Sequence, residues 1–126
     1  MTSQSILLAV TGLTPQVVTE TLYALHEQGE QLPFAVHILT TEEGCQRAKL
    51  TLINDGWLAR FCQDYHLKQP EFTAANIHVL RQANGEPLTD IRTQADNQAM
   101  ADAITEWIRT FTADPHNDLH VSIAGG

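Results

Sequence analysis

The chain has few cysteines, few aromatic residues and few positive charges, and these shortages limit the classes of structure and function that are open to it. Its two cysteines, Cys45 and Cys62, form no C-x-x-C pair and both fall in helical patterns. This indicates buried free thiols in a reducing cytoplasm rather than a disulfide framework. Lysine and arginine total 7 against 15 acidic residues, for a net charge of −8. That charge argues against non-specific binding to long nucleic acid.

Long hydrophobic runs are also missing. No apolar run in the sequence approaches the ~20 residues that a membrane-spanning helix needs. The opening Met-Thr-Ser-Gln-Ser lacks the basic region of a secretory signal peptide. We therefore expect a cytoplasmic protein, and the 126 residues suit a single domain, 1–126.

The most informative stretch is Ser5–Leu25, where an apolar run, a short loop and a helical pattern follow one another. Ile6–Val10 predicts a buried strand, while Thr14 and Pro15 suit the N-cap and first position of a helix. In parallel sheets a loop such as Thr11–Leu13 lies where ligands bind, and the start of the helix favours an anion. The loop matches neither G-x-G-x-x-G nor G-x-x-x-x-G-K-[ST], so phosphate binding and a simple tight turn both remain open.

The rest of the chain alternates strand and helix patterns, which predicts an α/β, Rossmann-like three-layer fold with a mostly parallel sheet. Gly29 should end the first helix. Between the second and third strands we expect one long helix, bent near Gly56, and Thr93 or Asp96 should cap the last helix. The predicted later strands cover 34–41, 77–80 and 119–124, and the predicted later helices cover 42–65 and 93–111.

Three of these strands carry a histidine near their start: His37, His78 and His120. Such a set is either a zinc site or three rings at the amino edge of the sheet, opposite the ligand end. No clustered cysteine or carboxylate supports a metal, so we predict no metal site and no cofactor. Asp90 and Arg92, after the third strand, are either ligand contacts or a local ion pair.

The sequence ends on Gly125-Gly126, directly after a predicted buried strand. This looks like the start of a second ligand loop beside the first. We expect the chain to be a fragment of a longer domain or protein, or to pair with another chain that covers its open sheet.

Four blocks of the chain together resemble a CRISPR-associated family that has the CRISPR-associated Rossmann fold (CARF) and is related to the ring nucleases of type III CRISPR systems. The resemblance covers essentially the whole chain. The blocks are Leu7–Leu22 (LLAVTGLTPQVVTETL), Trp57–Cys62 (WLARFC), Pro87–Thr93 (PLTDIRT) and His120–Gly126 (HVSIAGG).

The resemblance implies a homodimer that binds a cyclic oligoadenylate, usually the tetraadenylate, and in ring nucleases cleaves it without a metal. Thr11 sits where relatives place a Ser or Thr on the scissile ribose-phosphate. Gly12, Leu13 and Thr14 would supply further hydrogen bonds. The second half of the family site begins at Gly125-Gly126, where relatives continue with a basic stretch that this sequence lacks.

Two alternatives stay open. In the first, the domain only senses the cyclic oligoadenylate and controls a fused effector. In the weaker second, it is a generic α/β domain that binds a nucleotide or a flavin.

Overall fold

A computed structural model describes residues 4–13, 15–82 and 84–123. Within these ranges four strands form one all-parallel sheet in the order β3-β2-β1-β4. The chain runs through β1 (Gln4–Val10), α1 (Gln16–Glu27), β2 (Ala35–Thr40), α2 (Glu42–Ala48), a π-helical segment (Lys49–Asn54), α3 (Trp57–Asp64), β3 (Ile77–Val79), α4 (Gln94–Thr112) and β4 (Asn117–Ile123).

Helices cover both faces of the sheet, and alternate residues of each strand enter different cores. On β1, Leu7 and Ala9 pack with α1, α2 and α3, whereas Leu8 and Val10 pack with α4. Both β1 and β2 bury apolar residues on both sides of the sheet, as expected for inner strands of a parallel sheet. This arrangement confirms the predicted Rossmann-like three-layer α/β fold.

The strand order reverses between β1 and β4. From β1 the chain steps outward to β2 and β3 with its helices on one face, and then α4 crosses the opposite face to place β4 beside β1. The two neighbours are in register from Gln4↔Asn117 to Val10↔Ile123. The carboxyl ends of β1 and β4 therefore form a topological switch point, the place where open α/β sheets bind ligands.

Helix α1 ends as its sequence predicts. Gly29 has φ 77° and its N–H donates to the carbonyl of His26, while the N–H of Glu30 donates to that of Leu25. This is a Schellman motif, in which a glycine takes the left-handed conformation at low cost. At the other end Pro15 stands at the N-cap position and not at the first helical position, so α1 begins one residue later than predicted, and Thr14 lies outside the described residues.

The prediction of a single long helix between β2 and β3 is wrong, because the helix is interrupted at Gly56. The segment before it is π-helical, and Gly56 itself has φ 73°. Buried Leu52 and Leu58 are six residues apart, which in a straight α-helix would put them about 120° apart around the axis. The break turns both side chains into the same core.

The start of α4 is a capping box. The hydroxyl of Thr93 accepts from the N–H of Asp96 at 3.0 Å, and the carboxylate of Asp96 accepts from the N–H of Thr93 at 3.1 Å. The sequence left open which of the two residues caps the helix, and the structure shows that each satisfies the other's backbone. Within the described ranges, no helix is long and apolar enough to cross a membrane.

Candidate functional site

Three predicted site residues follow β1 directly and form the Thr11–Leu13 loop. Thr11 is 5% exposed, and its N–H donates to the carbonyl of Leu39 at 3.1 Å. Its hydroxyl oxygen is buried and has no hydrogen-bond partner among the residues that the structure describes. A buried polar atom without a partner is costly in a folded protein. The unsatisfied hydroxyl marks this loop as a place where a polar ligand would gain a contact.

The two residues after Thr11 are more exposed to solvent. Gly12 is half-buried and Leu13 is 42% exposed. Helix α1 begins just beyond them, with no acidic residue in its first turn and with Pro15, which has no side-chain hydrogen-bond acceptor, at its N-cap position. The first N–H groups of a helix carry partial positive charge, so the electrostatics here favour an anion.

The start of α2 lies at the same edge of the sheet, but its capping and its charge favour a bound anion much less. The hydroxyl of Thr41 already accepts from the N–H of Gly44 at 3.2 Å. Glu42 and Glu43 fill the first turn with negative charge. Of the two helix starts that follow β1 and β2, only that of α1 is free of both features in the described chain.

The loops after β1, β2 and β3 are tied together by hydrogen bonds. The Thr40 hydroxyl donates to the Gly12 carbonyl at 3.3 Å, and the Thr40 carbonyl accepts from the N–H of Leu80 at 2.7 Å. The N–H of Leu88 then donates to Leu80, and the N–H of Glu42 donates to Leu88. This network connects the Thr11–Leu13 loop to the carboxyl ends of β2 and β3.

Arg92 lies on the surface as half of a local ion pair. Its Nε is 3.2 Å from a carboxylate oxygen of Asp90, and its side chain is 74% exposed. The backbone N–H of Arg92 donates to the carboxylate of Asp96, which together with the Thr93 bonds holds the pKa of Asp96 below its ordinary value. No hydrogen bond within the described ranges joins Arg92 to the Thr11–Leu13 loop. The ion pair expected as one of two alternatives is thus present, and the ligand contact stays a prediction.

Three other predicted ligand residues, Thr14, Gly125 and Gly126, lie outside the described residues. The strand that leads to the two glycines is placed, however, because Ile123 pairs with Val10.

The three strand histidines do not form one cluster. His37 and His78 join through their ring nitrogens at 3.0 Å, beneath Trp107 and Phe111 of α4. His120 is exposed on β4, opposite Leu7, which belongs to the core on the other face. His37 is the third residue of β2 and is half-buried, so the interpretation as rings at the amino edge is wrong.

Metal ligation and cysteine chemistry have little support. Across 4–13, 15–82 and 84–123 no group of three or more His, Cys, Asp or Glu side chains could hold a metal ion. Cys45 and Cys62 are buried free thiols, as predicted, and burial raises the pKa of Cys62. A raised pKa keeps the thiol protonated and unreactive.

A large cavity lies away from the Thr11–Leu13 loop. It is a groove of about 950 Å³ between α4 and the edge strand β3, and Leu39, Val79 and Trp107 are among its lining residues. None of Thr11, Gly12, Leu13 and Arg92 lines this groove.

The sequence analysis did not identify Thr40, which donates a hydrogen bond to the Thr11–Leu13 loop, or Gly44, which packs closely against that loop. The signal was a polar Thr40-Thr41 pair at the end of an apolar strand, followed by a glycine in the first turn of a helix. These residue types allow a close approach between a helix and a neighbouring loop.

Comparison with known proteins supplies the family. Residues 14–126 match the family CRISPR-associated protein NE0113 (Cas_NE0113). The chain belongs to this CRISPR-associated family. Neither the search of curated proteins nor the search of solved structures gave a match.

Proposed function

We propose that this chain is a CARF-type domain that binds a cyclic oligoadenylate, with the tetraadenylate as the first candidate, in type III CRISPR defence. The observation that carries the proposal is the Thr11–Leu13 loop at the switch point: its buried Thr11 hydroxyl has no partner in the described part of the chain, and it stands beside a helix start whose N-cap residue, Pro15, makes no side-chain hydrogen bond. Membership of a CRISPR-associated family supports it. The domain acts as a homodimer, with the ring held across the two-fold axis.

In this proposal the phosphate lies against the start of α1. The N–H of Leu13 donates to a phosphate oxygen, and the Thr11 hydroxyl contacts the ribose-phosphate once the ligand turns the loop toward it. Backbone donors suit this role because they approach phosphate closely without a side chain in between. Gly12, Thr14, Gly125 and Gly126 line the same site, and Arg92 adds a cation if its pair with Asp90 opens.

In the presence of a basic segment like that of the family's ring nucleases, the site cleaves the ring without a metal. The ribose 2′-hydroxyl loses its proton and attacks the adjacent phosphorus. A new 2′-oxygen–phosphorus bond forms and the bond to the 5′-oxygen breaks, which leaves a 2′,3′-cyclic phosphate and a 5′-hydroxyl that takes up a proton. Thr11 is the proposed catalytic residue, and it contributes by holding the ribose and phosphate in line while positive groups stabilise the developing charge.

A second candidate is a sensor that holds the ring intact and passes a dimer rearrangement to an effector. The burial of Thr11 favours this reading, because its hydroxyl is covered in the structure. The two candidates share the same ligand and the same loop, and differ only in whether the ring is cut.

The test is to incubate the chain with labelled cyclic tetraadenylate, measure the bound fraction and resolve the products by chromatography. Linear tetraadenylate is the control ligand. Thr11→Val should weaken binding by about 10- to 150-fold, because a hydrogen bond to a charged group contributes about 1.5–3 kcal/mol, and Thr11→Ser should bind nearly as well as wild type. If the chain neither binds nor cleaves the tetraadenylate or the hexaadenylate, the proposal is refuted.

A further inference from the structure

Thr40 contacts the Thr11–Leu13 loop from the neighbouring strand. It is fully buried, and its hydroxyl donates to the Gly12 carbonyl at 3.3 Å. Its position is fixed from the other side, because its carbonyl accepts from the N–H of Leu80 at 2.7 Å. Thr40 therefore presents its hydroxyl to the loop from a rigid strand end.

Gly44 makes this contact possible. A Cβ at Gly44 would overlap the Thr40 hydroxyl and lie 2.6 Å from the Gly12 oxygen. The helix cannot easily move away, since the N–H of Glu42 donates to the Leu88 carbonyl at 2.7 Å and Cys45 and Ala48 are buried in the core. A residue with a side chain at position 44 would push the Gly12 carbonyl away from Thr40.

The direction of the Gly12 carbonyl determines the direction of the next backbone donor, the N–H of Leu13. The carbonyl of Gly12 and the N–H of Leu13 belong to one planar peptide group, and the described chain contains no cis peptide bond. In a trans peptide the C=O and N–H point in opposite directions. When the carbonyl is held toward Thr40, the N–H of Leu13 is turned away from Thr40.

We propose that Thr40 is a positioning residue for ligand binding, which aims the Leu13 N–H through the Gly12 carbonyl, and that Gly44 is the glycine this arrangement requires. Thr40 acts without touching the ligand. The proposal rests on the proposed function for the identity of the ligand, and on the described contacts for the geometry. Preorganised donors bind anions better than mobile ones, because the ordering has already been done.

The experiment measures two quantities on the same variants. The first is the affinity for cyclic tetraadenylate, and the second is the backbone order parameter of Gly12 and Leu13 from ¹⁵N relaxation without any ligand. Thr40→Val removes the hydroxyl and keeps the shape, and Thr40→Ser keeps a hydroxyl. Thr110→Val is the matched control, because Thr110 also donates its hydroxyl to a backbone carbonyl, at 2.9 Å, but far away on α4.

Thr40→Val should weaken binding by about 2- to 10-fold, the range that one net hydrogen bond supplies. It should also lower the order parameter of Leu13 from about 0.85 toward 0.6, values typical of rigid and flexible backbone. Thr40→Ser and Thr110→Val should leave both quantities near the wild-type values. Gly44→Ala should lower the same order parameter, which provides a second route if Thr40→Val folds poorly.

Unchanged order parameters at Gly12 and Leu13 in both Thr40→Val and Gly44→Ala would overturn the inference. A loop that loosens while affinity stays the same would also overturn it. If the wild-type chain binds no cyclic oligoadenylate, the proposed function fails. The relaxation data, which need no ligand, still decide whether Thr40 orders the loop.

Discussion

Val10 and Ile123 are paired at the carboxyl ends of two neighbouring parallel strands, although 112 residues of the chain separate them. Because α1, which follows β1, and α4, which precedes β4, lie on opposite faces of the sheet, the strand ends border a crevice. The Thr11–Leu13 loop leaves β1 at this point. The candidate site is therefore a consequence of strand order, with Thr11 as its first residue.

Gly44→Ala tests how closely α2 packs on the loop. In an open helix this change would stabilise the fold by about 1 kcal/mol through helix propensity. Here the added Cβ meets the Thr40 hydroxyl and the Gly12 carbonyl. We therefore expect a loss of about 1–3 kcal/mol, the usual cost of overpacking, measured by urea denaturation.

The control for this change is Gln46→Ala, an exposed position on the same helix. It should alter the free energy of unfolding by no more than about 0.5 kcal/mol. A Gly44→Ala variant at least as stable as wild type would show that the contact with Gly12 is loose.

Gly56→Ala tests the helix break. Nothing lies within 4 Å of a Cβ built on Gly56, so packing contributes little to the outcome. The left-handed conformation, φ 73°, costs an alanine about 1–2 kcal/mol. We expect a loss of that size in thermal or urea unfolding. A stabilised variant would indicate a continuous helix instead.

The His37–His78 pair should make stability fall with acid. Burial lowers the pKa of both rings from 6.5, opposed at His37 by the Glu71 carboxylate and assisted at His78 by the charge of His37. The unfolded chain therefore binds protons more readily than the folded one. The stabilisation is complete above the unfolded value and is lost as the pH drops below about 6.5 toward the lowered pKa values.

The measurement is the melting temperature across about pH 7 to pH 5, where histidine titrates. A double variant, His37→Gln with His78→Gln, keeps hydrogen-bonding side chains that do not titrate, and should show a shallower decline than wild type. His120→Gln, an exposed position on β4, should keep the wild-type slope. Equal slopes for wild type and the double variant would contradict the account.

Thr93→Ala should weaken the start of α4. The change removes the hydroxyl that accepts from Asp96, and loss of such a cap costs about 0.5–2 kcal/mol. Thr105→Ala is the contrasting variant, because Thr105 lies mid-helix and bonds the Ala101 carbonyl. It should be neutral or slightly stabilising. If both variants lose the same stability, the capping box has no special role.

Local patterns were enough to predict most of the fold. The apolar run at Ile6–Val10 and the turn at Gly29 depend on neighbours in sequence, so the strand, and the helix that ends before the turn, could be predicted. A bend near Gly56 was expected, but the full interruption of the helix could not be predicted, because it is imposed by the need to bury Leu52 and Leu58 together. A helical period alone gives no sign that tertiary packing will interrupt it.

The candidate site was predicted in part, for the same reason. Thr11 and Gly12 could be placed because a loop after a buried strand has a defined place in a parallel sheet. The contact between Thr40 and Gly12 joins residues 28 apart in the chain. The contact depends on how α2 packs against the end of β1. No local pattern in a single sequence indicates the distance between these two elements.

The most direct measurement of the central claim is an NMR titration of the ¹⁵N-labelled chain with cyclic tetraadenylate. The account predicts that the amide signals of Thr11, Gly12, Leu13 and Ile123 move in a saturable way. Signals from Asp102, in the groove beside α4, should stay in place. Saturable shifts confined to that groove, or no shifts with either the tetraadenylate or the hexaadenylate, would contradict the account.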